Sequence, residues 1–353
     1  MTLPAPWITA PHAPDQTFTR RAQEHQLALT KPPGSLGRLE DAAIALCGQQ
    51  RRLDPAVDRV HIAVFAGDHG VCDEGISAFP QAVTAQMIAN FATGGAAISV
   101  LARQLGAALE VVNLGTVGEV RADVPNIIHA PIAPATGNIA REPAMDDHQI
   151  AAALQAGDQA AERAAQSGAQ LFIAGDMGIG NTTTAAALAC AILEQPARAL
   201  VGAGTGLAPD GVRHKADVVE LALARHGQDR DPLALLQSLG GFEIAAIAGS
   251  YLGAAARGIP VLVDGFIASV AALVALRQQP GLRAWLHYGH RSAEQGHQKV
   301  LDALEAHPLL DLGMRLGEGS GAATAVTLLR SACALHNQMA SFADAGVSDG
   351  SDQ

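Results

Sequence analysis

The sequence predicts an α/β protein built on a parallel, Rossmann-like sheet flanked by helices. Three observations predict it: apolar runs of strand length recur along the chain, each closes on glycine and polar residues, and each leads into a helix-forming run. The first run is Val60 to Phe65, closing on Gly67-Asp68-His69-Gly70. The second is Leu109 to Leu114, closing on Gly115-Thr116. The third is Leu171-Phe172-Ile173-Ala174, which runs through Gly175-Asp176-Met177-Gly178-Ile179-Gly180 into Asn181 and three threonines. Further runs are Ala199 to Val201, Pro260 to Val263 before Asp264-Gly265, and Ala284 to Tyr288 before Gly289-His290. A parallel sheet collects ligands at the carboxyl ends of its strands. These scattered Gly, Asp, His and Thr residues are therefore expected at one crevice.

Around the strands, residues 1–20 hold Pro4, Pro6, Pro11 and Pro14 without periodicity and read as an extended arm. A helix follows to about Leu29. The rigid turn Lys31-Pro32-Pro33-Gly34-Ser35 comes next, with Ser35 placed to cap a helix running to about Arg51. Lys31 and Arg38 flank that turn and either shape it or reach a phosphate or a neighbouring subunit. A long helix is expected from about Phe79 through Gly94 and Gly95 to Leu105. Residues 117–147 read as irregular, and Asp146-Asp147 introduces an Ala-rich helix over 148–167. Further helices are expected over 211–226, from Gly241 to about Arg257, and from the Glu318 region to about Met339.

Composition excludes several classes. The 353 residues carry 34 acidic and 23 basic side chains, a net charge of −11, and no basic run, which argues against a nucleic-acid partner. The apolar half of the chain is interrupted by 37 Gly and 18 Pro, so no membrane partner is expected. Cys47, Cys72, Cys190 and Cys333 lie far apart with no C-x-x-C, and the first residues lack a basic-then-apolar leader. A cytoplasmic protein with isolated thiols is the expectation.

The candidate chemistry sits in a few places. Gly178 and Gly180 let the backbone lie against a ligand, and the helix start that follows attracts an anion, a phosphate above all; the alternative is a ligand-free turn capped by Thr. Phe79 and Met87 suit a planar heterocycle, or are ordinary core. Lys215 is a point-charge donor to phosphate, or lies on a solvated helix face. Glu318, between Gly317 and Gly319, can be approached closely by a flat substrate and would gain basicity from burial; its alternative is to cap the next helix through the dipole. The pair His287 and His290 lacks a third ligand at metal spacing, so no metal and no cofactor are expected.

Five segments in order, Lys31-Pro32-Pro33-Gly34-Ser35-Leu36-Gly37, Asp68-His69-Gly70-Val71, Gly178-Ile179-Gly180-Asn181-Thr182-Thr183, Val263-Asp264-Gly265-Phe266 and Arg315 to Gly321, closely resemble the nicotinate-nucleotide:dimethylbenzimidazole phosphoribosyltransferase family (CobT). The resemblance implies transfer of phosphoribose from nicotinate mononucleotide to 5,6-dimethylbenzimidazole. It implies a homodimer, an α/β catalytic core over 55–325 and a smaller helical domain from 1–54 and 326–353. It places catalysis on Glu318 and Asp176. It assigns Phe79, Met87 and Met177 to the base pocket, and Gly178, Gly180, Asn181, Thr182, Gly204, Lys215 and Ser292 to the phosphoribosyl portion. Preference among benzimidazoles, purines and phenolics stays open.

Overall fold

A computed structural model describes residues 2–120, 124, 126–204 and 206–348. Of the chain ends assigned above, residues 349–353 lie outside the described residues. The chain enters through α1 (Ala5–Ile8), α2 (Gln16–Ala28) and α3 (Arg38–Gln50). It continues with β1 (Val60–Gly67), α4 (Ala82–Thr93), α5 (Ala97–Leu105), β2 (Ala108–Gly115), β3 (Ile127–His129) and α6 (Asp147–Gln166). Next come β4 (Leu171–Met177), α7 (Asn181–Leu193), α8 (Ala197–Leu200), α9 (Pro209–His226), α10 (Pro232–Leu239) and α11 (Phe242–Ala256). The last elements are β5 (Val261–Val263), α12 (Phe266–Gln278), β6 (Leu286–Tyr288), α13 (His297–Leu304), α14 (Ser320–Gln338) and α15 (Phe342–Ala345).

The strands form one parallel six-stranded sheet in the order β3-β2-β1-β4-β5-β6. Side chains alternate across it, as a strand's period of two requires. Ala63, Phe65, Phe172, Ala174, Val261 and Val263 face one apolar layer, with α6, α7, α11 and α12. Ile62, Val64, Leu171, Ile173 and Leu262 face the other, with α3, α5 and α14. Because both faces are covered, the strands read as continuous apolar runs rather than alternating ones. The strand order reverses direction between β1 and β4. The two strands stay paired to Ala66 and Met177, and the connections leaving them run to opposite sides of the sheet, which opens a crevice beyond their carboxyl ends.

Several expectations are corrected. Ala199 to Val201 is not a strand: Pro196 stands at the N-cap of the short helix α8 there, and so brief an apolar run carries no period to separate the two. The edge strand β3 has no counterpart among the expected strands. The long helix breaks at Gly94, which takes φ +90° and ends α4 before α5 begins. By length and composition residues 82–105 could cross a bilayer, as core helices also can, but the break at Gly94 divides them into two shorter helices. The N-terminal arm is anchored, since Trp7 is buried in the core and Gln278 and Gln279 both donate to its carbonyl. Ser35 makes no cap. Gly37 occupies that position, and Glu40 instead accepts from the Leu36 N–H. Lys31 is held in a buried ion pair with Glu40 at 2.8 Å, and Arg38 donates to the Pro308 carbonyl. The turn reading of that segment holds.

Candidate active site

The crevice is a cleft of about 370 Å³ above the ends of β4, β5 and β6. Phe79, Met87, Asp176, Met177, Gly178, Asn181, Thr182, Gly204, Ser292 and Glu318 all line it. The two remaining candidates stand just behind. Lys215 donates to the Thr182 hydroxyl at 2.7 Å, and Gly180, at φ +97°, packs against Cys72 and His69 where a Cβ would crowd them. The structure thus brings residues more than two hundred positions apart into one place.

Glu318 owes its position to backbone geometry that few sequences tolerate. Gly317, Glu318 and Gly319 take φ +82°, +65° and +85°, three left-handed residues in succession. For glutamate that conformation is strained, at a cost of order 1–3 kcal/mol. The loop lies directly on β4: a Cβ at Gly175 would overlap the Glu318 carbonyl. Asp264, from the end of β5, accepts from the Gly319 N–H at 3.2 Å and the Ala322 N–H at 2.7 Å. That carboxylate therefore caps α14, and the alternative in which Glu318 does so is set aside. The Glu318 side chain turns the other way and accepts from the Ile98 N–H at 3.3 Å near the start of α5. Burial raises its pKa above the ordinary carboxylate value; the Ile98 N–H opposes the shift and the charge on Asp264 adds to it.

Asp176 is buried at the tip of β4 and accepts from the Asn181 amide at 3.1 Å. Burial raises its pKa well above normal, and the nearby carboxylates of Asp264, Glu243 and Glu318 raise it further.

Another part of the cleft joins a helix start to a buried ammonium. The first turn of α7 opens on Gly180, and the backbone N–H groups of Gly180 and Thr182 have no backbone partner among the described residues. Lys215, 1% exposed, lies on the buried face of α9 with its ammonium on Thr182, which removes the solvated-face reading. Burial lowers its pKa to about 8, against a pull upward from Glu294. The cleft also has an apolar wall. Phe79 ahead of α4, with Val83 and Met87 along it, forms one stripe, and Met177 and Leu316 extend the surface. Phe79 and Leu316 remain half exposed, which leaves a greasy lip at the entrance.

Sequence reasoning missed several lining residues. Val83 stands four positions from both Phe79 and Met87, so helical spacing could have found it. Arg315 and Leu316 precede the Gly317-Glu318-Gly319 bracket, and Phe266 follows Asp264-Gly265. Glu294 lies near Ser292 without any local signal, whereas Gly265 and His290 reach the cleft as the strand-end pattern expects. His287 and His290 do not converge: His287 pairs with Gln49 at 2.9 Å, while His290 lies 3.6 Å from Asp264. Among the described residues no group of three or more His, Cys, Asp or Glu side chains is arranged to hold a metal.

A family pattern described as phosphoribosyltransferase matches residues 12–347. The chain belongs to that phosphoribosyltransferase family. A relative from Pseudomonas putida KT2440, named nicotinate-nucleotide–dimethylbenzimidazole phosphoribosyltransferase, is 59% identical over 344 residues, 97% of this chain and 98% of that one. The crystal structure of the nicotinate-nucleotide-dimethylbenzimidazole phosphoribosyltransferase from Thermus thermophilus superposes with a TM-score of 0.89 at 45% identity, covering 95% of this chain and 99% of that one. A crystal structure of CobT from the same organism gives 0.91 at 46% identity, covering 95% and 100%.

Proposed function

We propose that this phosphoribosyltransferase moves the phosphoribosyl group of nicotinate mononucleotide to 5,6-dimethylbenzimidazole, giving α-ribazole 5′-phosphate and nicotinate. One observation carries the reading: a buried, raised-pKa glutamate shares an apolar-walled cleft with a helix N-terminus, behind which Lys215 is held on Thr182.

The donor's phosphate sits against α7, with Lys215, Thr182 and the glycine-loop amides as partners. Phe79, Met87 and Met177 sandwich the flat acceptor. One imidazole nitrogen attacks the anomeric carbon from the face opposite nicotinate. The bond to the pyridinium nitrogen breaks, and its electron pair leaves with a neutral ring that needs no general acid. The second imidazole nitrogen loses its proton to Glu318. Its raised pKa brings this carboxylate nearer the operating pH, where a positioned base contributes about 10²–10⁴-fold. Asp176, which lines the cleft with Glu318, answers the positive charge that develops on the ribosyl carbon.

The same reading includes a homodimer in the cytoplasm, with no nucleic-acid or membrane partner and no cofactor or metal. It also includes a division into a catalytic core over 55–325 and a smaller helical unit from both chain ends. Net charge −11 and cysteines that remain free support the solution environment. Incubating the purified chain with both substrates and following nicotinate release and the anomer formed tests the activity. No release, or a β product, defeats it. Light scattering of the same sample reads the subunit count.

A further inference from the structure

Beneath the glycine loop lies a buried polar chain that the reaction does not use directly. Thr84, on α4, and Asp68, at the end of β1, are both fully buried. The Thr84 hydroxyl donates to Asp68 Oδ1 at 2.6 Å, and its oxygen accepts from the Ile179 N–H at 3.2 Å. The other carboxylate oxygen, Oδ2, accepts from the Val117 N–H at 2.9 Å. Asp68 is itself immobile, since its own N–H donates to the Gly115 carbonyl and its carbonyl accepts from the Thr136 N–H. On the far side of the loop, the Ile179 carbonyl accepts from the Cys72 thiol at 3.1 Å.

These bonds fix which way the loop peptides face. The N–H and C=O of a trans peptide point in opposite directions. With the Ile179 carbonyl held toward Cys72, the Gly180 N–H of the same peptide must point away from it. With the Ile179 N–H drawn down onto Thr84, the preceding carbonyl, that of Gly178, points the other way and accepts from the Asn181 N–H at 3.1 Å, closing the turn that starts α7. Glycine-rich backbone has no such preference of its own, because it populates left- and right-handed conformations about equally.

We propose that Thr84 and Asp68 are positioning residues of the donor site, holding the Gly178–Gly180 loop in its anion-accepting conformation through the Ile179 amide. Neither touches substrate. The inference rests on the donor phosphate being bound at this loop, as in the proposed function. Losing the chain would free the loop to turn its carbonyls toward the anion and would weaken the donor while leaving the acceptor wall untouched.

Thr84→Val keeps the side-chain shape and deletes the hydroxyl. Once wild-type turnover has established the reaction, this variant should raise the KM for nicotinate mononucleotide at least tenfold, with the KM for dimethylbenzimidazole within twofold of wild type. Thr84→Ser, which restores the hydroxyl, should bring the donor KM back to within threefold. A donor KM within twofold of wild type in Thr84→Val, or parallel changes in both KM values, overturns the proposal while leaving the reaction itself standing. A measurement on the unaltered protein covers the case in which Thr84→Val does not fold. In native-state hydrogen exchange the Ile179 amide should exchange at least a hundredfold more slowly than those of Gly180 and Thr182, and equal rates overturn the proposal.

Discussion

Backbone meets backbone through glycine both where α6 crosses α11 and where β4 meets the Glu318 loop, and the two contacts do opposite things. At the helix crossing, a Cβ on Gly157 would overlap the Ala246 carbonyl, and one on Gly249 would overlap the Leu154 carbonyl. The helices there keep ordinary φ values, α11 is buried along nearly its whole length, and closeness brings only packing. At the loop, Gly175 permits an equally close approach, but what it brings in is a left-handed glutamate beside three other buried acids, Asp176, Asp264 and Glu243. The first contact lowers the energy of the fold. The second stores strain and charge repulsion in the place where chemistry is needed.

Substitutions can break this contrast, beginning where the effect is greatest. Glu318→Gln keeps shape and burial but removes the base, so kcat should fall about 10²–10⁴-fold with both substrates still bound; single-turnover nicotinate release checks it, and wild-type turnover would remove Glu318 as the base. Lys215→Met should raise the donor KM roughly 10–100-fold, from the ~1.5–3 kcal/mol of a charged hydrogen bond. The wild type tests the same group by pH. Free-enzyme Lys215 loses its proton as pH rises through about 8, so kcat/KM for the donor should decline above that pH, and the decline should be missing in Lys215→Met. At the helix crossing, Gly157→Ala forces the helices apart and should cost about 1–3 kcal/mol by overpacking, seen in thermal melting, with the kcat of folded enzyme unchanged.

The smallest effect runs in the reverse direction. Asp176 has a folded-state pKa raised well above the unfolded value. Its stabilising contribution is therefore full below the unfolded carboxylate pKa and is lost as pH rises through the folded one. Asp176→Asn removes that loss. The variant should melt higher than wild type at neutral pH, by about 2–4 °C per kcal/mol recovered, and the gap should close as pH falls through the unfolded carboxylate range. Unchanged melting across that range would show that the acid cluster carries no repulsion.

Much of this arrangement was legible in the sequence because strand ends and motifs carry local signals. β1, β2 and β4 announced themselves as apolar runs ending in glycine, and the Gly317-Glu318-Gly319 bracket pointed to an approachable carboxylate. Elements lacking a local signal were missed or misread. β3 and α8 are too short to show a period. Trp7 is buried by contacts with α11, α12 and the loop beyond α12, which no arm sequence reveals. Glu294 reaches the cleft only because β6 places its loop beside β5. The paired roles of Thr84 and Asp68 depend on α4 folding back over β1, a tertiary fact with no signature in either segment.

The left-handed backbone at position 318 sets two kinds of selection against each other. Glycine would relax that residue and make a sturdier protein, so a population freed from the need for this reaction should accumulate Glu318→Gly, losing activity while gaining thermal resistance. Persistence of glutamate at such a costly spot across a lineage would be a record that the reaction is still in use.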